Sequence, residues 1–460
     1  EIYTLSLHDA LPISSWIVFS GRSLCRCEDG IALFTEGLLP GETAQVLVIK
    51  DKKSFREGIV KNITLKSPER IEPVCPSFGK CGGCSFQNVS YARQIKYKKE
   101  YVSELLGVFG IEIGQIIESP QIWHYRNKME LSFFADKDCA DDCGFANLGL
   151  HRKGSFNKYV PVPPCFIADE DFLKAARIVK EFAGGKKLKA YDNKTHEGCL
   201  RHLVLRKAKN NSRMLINLVT NIFEGGAVFF EPLAKELGKF ASSVYWTQNG
   251  RQSDAVVPDK LTLLFGGGNI TEKLNVGGED FYFNISPFSF FQTNSAGAER
   301  LYNEILRLLV PSKDDILLDL YCGTGTIGIC MARKVKKVIG IEQVSRAVDD
   351  AKENALLNNI ANAVFFASSA DGWVKENGEE FNAIVADPPR SGLTNEVMKF
   401  MLDSKAEKIV YVSCNPATLA RDLSFLTGGG KYRIKEIVPV DMFPHTYHVE
   451  TIVLLQRKTL

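Results

Sequence analysis

The 460-residue sequence lacks several features that would assign it to a class at once. It has no apolar run long enough to cross a membrane, and no apolar stretch behind a basic start that would act as an export signal. Internal repeats and low-complexity tracts are also absent. The net charge is only +3, so bulk charge does not indicate a nucleic-acid binder. These absences predict a cytoplasmic globular protein of about two to four domains, without membrane association.

An initiating methionine is missing too, because the first residue is Glu1. Residues 1–13, EIYTLSLHDALPI, read like the translation of a sequencing adapter. We expect this segment to be an assembly artefact that contributes nothing to folding. The alternative is a natural N-terminal arm.

Cysteine, in contrast, is abundant, with 12 residues. Without an export signal a disulfide framework is not expected, and clustered cysteines then indicate a metal site or catalysis. Cys75, Cys81 and Cys84 follow a C-x5-C-x2-C spacing, close enough for their thiolates to bind one soft metal centre. Zinc and a 4Fe–4S cluster both use such ligands, and spacing does not distinguish them. Cys322 and Cys330 are interpreted as packing residues.

Three regions differ in their patterns. Short β-rich runs between turn-like breaks predict a small module over residues 15–72, similar to a five-stranded oligonucleotide-binding barrel. Residues 73–284 hold most of the cysteines and combine a helical pattern with strand-like runs, which predicts an α+β domain. In residues 285–460, apolar strands alternate with amphipathic helices and two strands end the chain. The fold class is therefore α/β, with a Rossmann-like parallel sheet and an antiparallel end.

A cofactor site is predicted where the first strand of residues 285–460 ends. The run Asp319-Leu-Tyr-Cys-Gly-Thr-Gly325 closes that strand, and its glycines allow a tight turn and close approach to a ligand. Glu342 ends the next strand, where an acid can accept both ribose hydroxyls of an adenosine. Asp319 would repel a pyrophosphate but suits a cationic sulfonium, which favours S-adenosylmethionine over a dinucleotide. The simpler alternative is that Asp319 only caps the loop.

A catalytic site is predicted at the same sheet edge. Asp387-Pro-Pro-Arg and Ser413-Cys414-Asn-Pro each follow a strand, so both lie at the carboxyl edge. A helix starting near Pro416 is expected to lower the pKa of the Cys414 thiol. A thiolate there can attack C6 of a uracil and make C5 nucleophilic enough to accept a methyl group.

The reaction then needs a base that removes the C5 proton, and residues 443–450 offer three candidates. Glu450 opens the last predicted strand, a rigid mount, and is the preferred base. His445 and His448 are its rivals, because a neutral imidazole accepts protons near pH 7.

Residues 15–460 resemble the RNA uracil-5 methyltransferase family, specifically the iron–sulfur branch that acts on 23S ribosomal RNA. The motifs found in the family's order are FFQTN (290–294), CGTG (322–325), DPPR (387–390), SCNP (413–416), HVE (448–450) and, the most specific, SPERIEPVCPSFGKCGGCSFQ (67–87). The resemblance implies catalysis by Cys414 as nucleophile and Glu450 as base. It also implies that residues 15–72 are a TRAM-type RNA-binding barrel.

The resemblance further assigns ligands. It implies that the cofactor is contacted by Gln292, Tyr321, Glu342 and Asp387. One departure is Ser369, where the family often has Asp near the adenine. The resemblance favours a 4Fe–4S cluster over zinc, with Cys165 as fourth ligand after Cys75, Cys81 and Cys84. The rival pair for that ligand is Cys139 and Cys143.

Competing functions remain at this point. The same chemistry on transfer RNA is one, and a cluster-bearing RNA-binding protein without catalysis is another. A cytosine-5 methyltransferase would need a second cysteine beside the prolines of DPPR, and the sequence has none there. An amino-group methyltransferase would need an Asn-Pro-Pro-aromatic run, which the sequence also lacks. RNA is the expected partner, and no feature calls for an obligate protein partner.

Overall fold

The computed structural model describes residues 13–18, 21–27, 29–135, 146–155, 157–162, 164–252, 258–376 and 380–458. Most of the segment interpreted as an artefact, residues 1–12, lies outside the described residues, and Ile13 begins the first strand. Cys139 and Cys143 also lie outside them. None of the helices in the described ranges is both long and apolar enough to cross a bilayer.

The N-terminal region is a five-stranded sheet. Its strands are β1 (Ile13–Val18), β2 (Arg22–Arg26), β3 (Ala32–Glu36), β4 (Thr43–Asp51) and β5 (Phe55–Leu65), in the order β1-β2-β3-β5-β4. Burial alternates along β2 and β3, as expected for strands with one solvated face. Only the β3–β5 pair is parallel, and the outer strands β1 and β4 approach each other. Buried Glu42 accepts hydrogen bonds from Arg70 and so fastens this sheet to the segment that follows.

The central region begins with α1 (Tyr91–Leu106), whose first turn is capped by Ser90. A seven-stranded sheet follows, built from β6 (Lys128–Ala135), β7 (Ala146–His151), β8 (Tyr159–Pro161), β9 (Leu200–Lys207), β10 (Met214–Thr220), β11 (Ser243–Gln248) and β12 (Lys260–Gly266). Its order is β12-β11-β10-β9-β6-β7-β8. The helices α2 (Glu170–Gly185) and α3 (Glu231–Leu237) share its hydrophobic core. A hairpin of β13 (Ile270–Val276) and β14 (Glu279–Ile285) leads into the last region.

The C-terminal region confirms the predicted α/β fold. Its elements are α4 (Ser295–Leu309), β15 (Ile316–Leu320), α5 (Thr326–Ala332), β16 (Lys337–Glu342), α6 (Ser345–Leu357), β17 (Ala363–Ala367), α7 (Ala370–Glu376), β18 (Ala383–Ala386), α8 (Asn395–Asp403), β19 (Lys408–Ser413), α9 (Pro416–Gly428), β20 (Tyr432–Val440) and β21 (Glu450–Arg457). The sheet order is β17-β16-β15-β18-β19-β21-β20. All neighbours are parallel except β21, which pairs antiparallel with β19 and β20.

This topology determines where a ligand can bind. The chain moves outward from β15 through β16 to β17 and then returns to β18 on the other side of β15. The loops after β15 and β18 therefore lead away from each other and leave a crevice at the carboxyl edge. Apolar side chains from both faces of the strands pack under helices in two separate clusters, so the edge rests on a rigid core.

Candidate active site

A cavity of about 530 Å³ opens at this crevice. We call it the cofactor cavity. Tyr321 and Gly323 line it from the loop after β15, Glu342 from the end of β16, and Asp387 from the end of β18. Its volume lies within the range of small-molecule sites in proteins. The fold thus brings together residues that are separated by up to three crossover connections in the sequence.

The loop after β15 has an unusual backbone. Tyr321, Gly323 and Gly325 have φ angles of +64°, +55° and +77°, the left-handed region that glycine adopts without strain. A side chain at Gly325 would also stand 3.0 Å from Ala351 and Phe365. The Gly323 amide donates a hydrogen bond of 3.2 Å to Glu342, which ties the loop to β16. The two predicted glycine positions are therefore required by backbone geometry.

Asp319 does not face the cofactor cavity, although the preference for a sulfonium over a pyrophosphate had assumed that it would. It is fully buried and does not line the cofactor cavity. Its Oδ2 accepts a 2.9 Å hydrogen bond from the Gly328 amide in α5, and burial raises its pKa to about 8. Asp319 therefore braces the loop, as the simpler alternative proposed. The carboxylates that do reach the cavity are Glu342, Asp350, Asp371 and Asp387.

The remaining predicted cofactor residue, Gln292, lies in the segment between β14 and α4. Phe290 of that segment lines the cavity and is 65% exposed, whereas Gln292 is not among the lining residues. Its backbone oxygen accepts a 3.0 Å hydrogen bond from Asn127. The structure thus brings three of the four predicted residues to the cavity. Ser369 also lines it, and Asp371 stands two residues later.

Asp350 and Asp371 were missed by sequence reasoning. Both lie on helices and belong to no recognisable motif, so only the packing of α6 and α7 reveals them. Asp371 gave a weak signal, because it is an acid close to the position where the family often has one. Asp350 accepts a 2.6 Å hydrogen bond from Ser289, which links α6 to the segment that carries Phe290.

Beside this cavity the DPPR and SCNP segments are joined by hydrogen bonds. Asn415 caps α9 through its Oδ1, which accepts from the Ala417 amide. Its Nδ2 and the Thr418 hydroxyl donate to the Arg390 carbonyl at 3.1 and 3.2 Å. These contacts hold Cys414, which directly follows β19, next to the loop that begins with Asp387.

Glu450 comes to the same place along another strand. It is the first residue of β21 and only 7% exposed, and its neighbour Thr451 pairs with Ser413 of β19. The charges of Asp387 and Arg390 act on Glu450, and the charge of Glu450 acts on Cys414. We call Asp387, Arg390, Cys414 and Glu450 the catalytic edge.

The protonation states of this edge differ from the sequence expectation. Burial raises the pKa of Cys414 to about 11, with a further contribution from Glu450, while Arg390 opposes the shift. The prediction that the start of α9 would lower this pKa is therefore wrong, because the loss of water and the charges of nearby carboxylates outweigh the effect of the helix. Burial also raises the pKa of Glu450 to about 8 and that of Asp387 to about 7.

The two rival histidines are in different environments. His445 is 4% exposed, its ring stacks at 3.7 Å on Trp123, and Gln94 contacts both its backbone nitrogen and its Nδ1. His448 lies 3.5 Å from Arg390, and burial lowers its pKa to about 4, so it is neutral near pH 7. His448 remains the geometrical rival of Glu450, whereas His445 is held by its neighbours.

The four cysteines assigned to a metal centre line a second cavity, of about 310 Å³, which we call the cysteine cavity. Burial raises the pKa of Cys81, Cys84 and Cys165, and their mutual charges add to the shift. The Gly83 amide and the Gln87 side chain donate to Cys81 and Cys84. Within the described ranges, however, no three Cys, His, Asp or Glu side chains converge closely enough to hold a single metal ion.

Comparison with known proteins shows similarity along most of the chain. Residues 257–458 match the family model of tRNA (uracil-5-)-methyltransferases. An uncharacterized RNA methyltransferase from Caldanaerobacter subterraneus is 44% identical and covers 95% of this chain and 96% of its own length. One from Clostridium acetobutylicum is 41% identical, with 93% of each chain covered. The crystal structure of Pyrococcus abyssi tRNA (uracil-54, C5)-methyltransferase in complex with S-adenosyl-L-homocysteine is 28% identical, with a TM-score of 0.76 over 97% of this chain and 100% of that one.

Proposed function

Because the chain belongs to the RNA uracil-5-methyltransferase family, an S-adenosylmethionine-dependent group, we propose that it methylates C5 of a specific uridine in 23S ribosomal RNA. The observation that carries this proposal is the meeting of Cys414, Glu450 and Asp387 beside the cofactor cavity. A nucleophile, a base and a cofactor site at one sheet edge are the groups that this reaction requires.

The cofactor cavity fits a cationic nucleoside. Its four carboxylates favour a sulfonium and leave little place for a pyrophosphate. We assign Glu342 to the ribose hydroxyls, and Tyr321 and Asp387 to further contacts. Asp371 can take the role of the acid that is missing at Ser369. Gln292 is proposed as a contact from the segment that carries Phe290. The bound cofactor supplies an electrophilic methyl group.

The protein residues have three tasks in the reaction. The Cys414 thiol loses its proton to solvent, and the resulting thiolate attacks C6 of the uracil, which places electron density on C5. Arg390, the cation that opposes the raised pKa of Cys414, stabilises that thiolate. After methyl transfer to C5, the Glu450 carboxylate takes the C5 proton, the C5–C6 double bond forms again, and the bond between Cys414 and C6 breaks. Glu450 ends this turnover protonated.

We also propose that Cys75, Cys81, Cys84 and Cys165 hold a 4Fe–4S cluster. The supporting observation is that the four thiols line one cavity, although Cys165 is remote in sequence from the other three. Four cysteine thiolates are the usual ligands of such a cluster, and the family resemblance favours it over zinc. Binding iron would also relieve the cost of burying these thiols as anions. A cluster held by these thiols would tie the irregular segment around residues 75–87 to Cys165.

The N-terminal sheet supports a role in RNA binding. Its strand order, with β3 parallel to β5 and β1 close to β4, is consistent with a five-stranded TRAM-type barrel over residues 15–72. Exposed Lys50, Lys52 and Lys53 extend from its longest hairpin and can contact phosphates. Residues 73–284 and 285–460 then form the cluster-bearing and methyltransferase domains.

The target is tested by mapping 5-methyluridine in ribosomal and transfer RNA from a strain that lacks the gene. We expect one ribosomal position to lose its methyl group and to regain it with the wild-type gene, but not with Cys414→Ala. Loss in transfer RNA alone would move the target to the kind of RNA named for the Pyrococcus abyssi enzyme. No loss in either RNA would overturn the proposed function.

A further inference from the structure

The segment that leads into Glu450 is irregular. Residues 441–449, which we call the C-terminal loop, join β20 to β21 and contain no helix or strand. His445 in this loop has a φ of +65°, the left-handed region that is uncommon for residues other than glycine. Strand pairing holds the backbone of β21, and Glu450 stands where that strand meets this loop. The orientation of the Glu450 carboxylate therefore depends on what fixes the loop as well as on the sheet.

Helix α1, more than 300 residues earlier in the sequence, supplies two of the fixing side chains. Lys98 donates to Asp441 at 2.6 Å and to the Phe443 carbonyl at 3.0 Å, and the Lys98 and Asp441 side chains are at most 1% exposed. One turn earlier, fully buried Gln94 accepts a 2.8 Å hydrogen bond from the His445 amide. Its amide nitrogen also lies 3.1 Å from His445 Nδ1.

The segment that carries Cys75, Cys81 and Cys84 also forms hydrogen bonds with the C-terminal loop. The Ser85 and Phe86 amides, directly after Cys84, donate to the His445 carbonyl at 2.8 and 3.0 Å. Gln94 in turn donates to the Phe86 and Val89 carbonyls at 3.0 and 3.2 Å. Gln94 therefore bonds to both sides of the contact between the cysteine-bearing segment and the C-terminal loop.

We propose that Gln94 is a positioning residue for Glu450 and acts through the C-terminal loop. This inference rests on the proposed function, because it assigns Gln94 to the proton-removal step of that reaction. A displacement of about 1 Å at a reacting group can lower a rate by roughly 10²-fold, which is the scale expected when a loop loses its central contact. Cys414 is mounted on β19 and α9, so its attack on C6 does not depend on Gln94.

The test separates the two steps on RNA. In Gln94→Ala, turnover on uridine RNA should fall roughly 10- to 100-fold. Covalent complex formation with 5-fluorouridine RNA, which needs Cys414 but no proton removal, should stay within about threefold of wild type. The variant should also accumulate a methylated RNA adduct that survives denaturation. Gln94→Glu keeps the side-chain oxygen that accepts a hydrogen bond from the His445 amide. Its turnover should lie between that of Gln94→Ala and that of the wild type.

Lys96→Gln on the exposed side of the same helix is the matched control and should behave as wild type. Equal losses in turnover and complex formation by Gln94→Ala would overturn the positioning role, and so would unchanged turnover. Circular dichroism and iron content should match the wild type, and loss of either would also count against this role. A wild-type enzyme that forms no complex with 5-fluorouridine RNA would instead refute the proposed function.

Discussion

The catalytic edge and the cysteine cavity hold their functional side chains in different ways. At the catalytic edge, Asp387, Cys414 and Glu450 stand at the ends of neighbouring buried strands, so a regular sheet places them. In the cysteine cavity, Cys75, Cys84 and Cys165 lie on irregular backbone, and Cys81 makes an isolated bridge with Arg152. Hydrogen bonds between strands hold the backbone of the sheet, whereas the cysteine-bearing segment depends more on whatever joins the thiols.

Burial has opposite consequences in the two regions. At the catalytic edge it raises the pKa values of Glu450 and Asp387 towards neutrality, where a group can both accept and release protons. In the cysteine cavity it raises the pKa of Cys84 to about 12, which disfavours the thiolate unless a cation binds. The same desolvation therefore brings the carboxyl groups of one region into the range for proton transfer and disfavours thiolates in the other, where the proposed cluster would offset that cost.

The largest expected effect tests the catalytic edge. Cys414→Ala should lower turnover by roughly 10³-fold or more, because no other group supplies the nucleophile. Cofactor affinity should not change, since Cys414 does not line the cofactor cavity. Single-turnover methylation and calorimetry measure the two quantities. Cys330→Ala, a buried packing cysteine in α5, is the control. Turnover by the Cys414 variant within about tenfold of wild type would refute nucleophilic catalysis.

Glu450→Gln should reduce turnover by roughly 10²–10⁴-fold, the usual scale for a lost general base. Attack and methyl transfer need no base at C5, so methylated RNA should remain bonded to Cys414 and survive denaturing electrophoresis. His448→Ala is the companion variant. If His448→Ala accumulates the adduct while Glu450→Gln turns over normally, the base is His448, in the loop before β21, and not the strand residue Glu450.

The cysteine cavity should respond to substitution by losing its metal. Protein purified without oxygen should be brown and contain iron and acid-labile sulfide, and Cys165→Ser should lose most of both. Cys199→Ser, a free cysteine of the same region outside the cavity lining, should keep them. Colourless protein with one zinc per chain would contradict the cluster. Iron loss in Cys139→Ser but not in Cys165→Ser would change the fourth ligand.

A smaller effect is expected at the cofactor cavity. Glu342→Gln should raise the Kd for S-adenosylhomocysteine roughly 10- to 100-fold, the range for losing hydrogen bonds to a charged acceptor. Asp349→Asn is a matched control, because Asp349 is exposed on α6 while its neighbour Asp350 lines the cavity. Calorimetry measures both. Equal affinities for wild type and Glu342→Gln would remove Glu342 from the ribose contact.

The smallest effect concerns pH. Because burial raises the pKa of Glu450 to about 8, the carboxyl is protonated below that pH and becomes a base above it. The rate at which the RNA adduct breaks down should therefore rise roughly eightfold from pH 7 to 8.5. Following adduct breakdown keeps the ionisation of Cys414 out of the measurement. A flat profile for the wild type would mean that Glu450 does not titrate in this step.

The sequence by itself determined the C-terminal fold and the order of its functional loops. Continuous apolar strands between amphipathic helices specify a parallel sheet, and such a sheet brings strand ends to one edge. Glu342 and Asp387 were expected at this edge for that reason, and Tyr321 from the family resemblance; all three line one cavity, while their contact with the cofactor stays a prediction. These inferences are local, since each depends on a few residues and their spacing.

Only the tertiary structure decided the side-chain positions and pKa values that depend on burial and on contacts between distant parts of the chain. It turned Asp319 away from the cavity, brought Asp350 and Asp371 into it, and raised rather than lowered the pKa of Cys414. It also placed Gln94 against the C-terminal loop. No local pattern predicts these results, because the free energy of a charge depends on the water it loses and on side chains from remote parts of the chain.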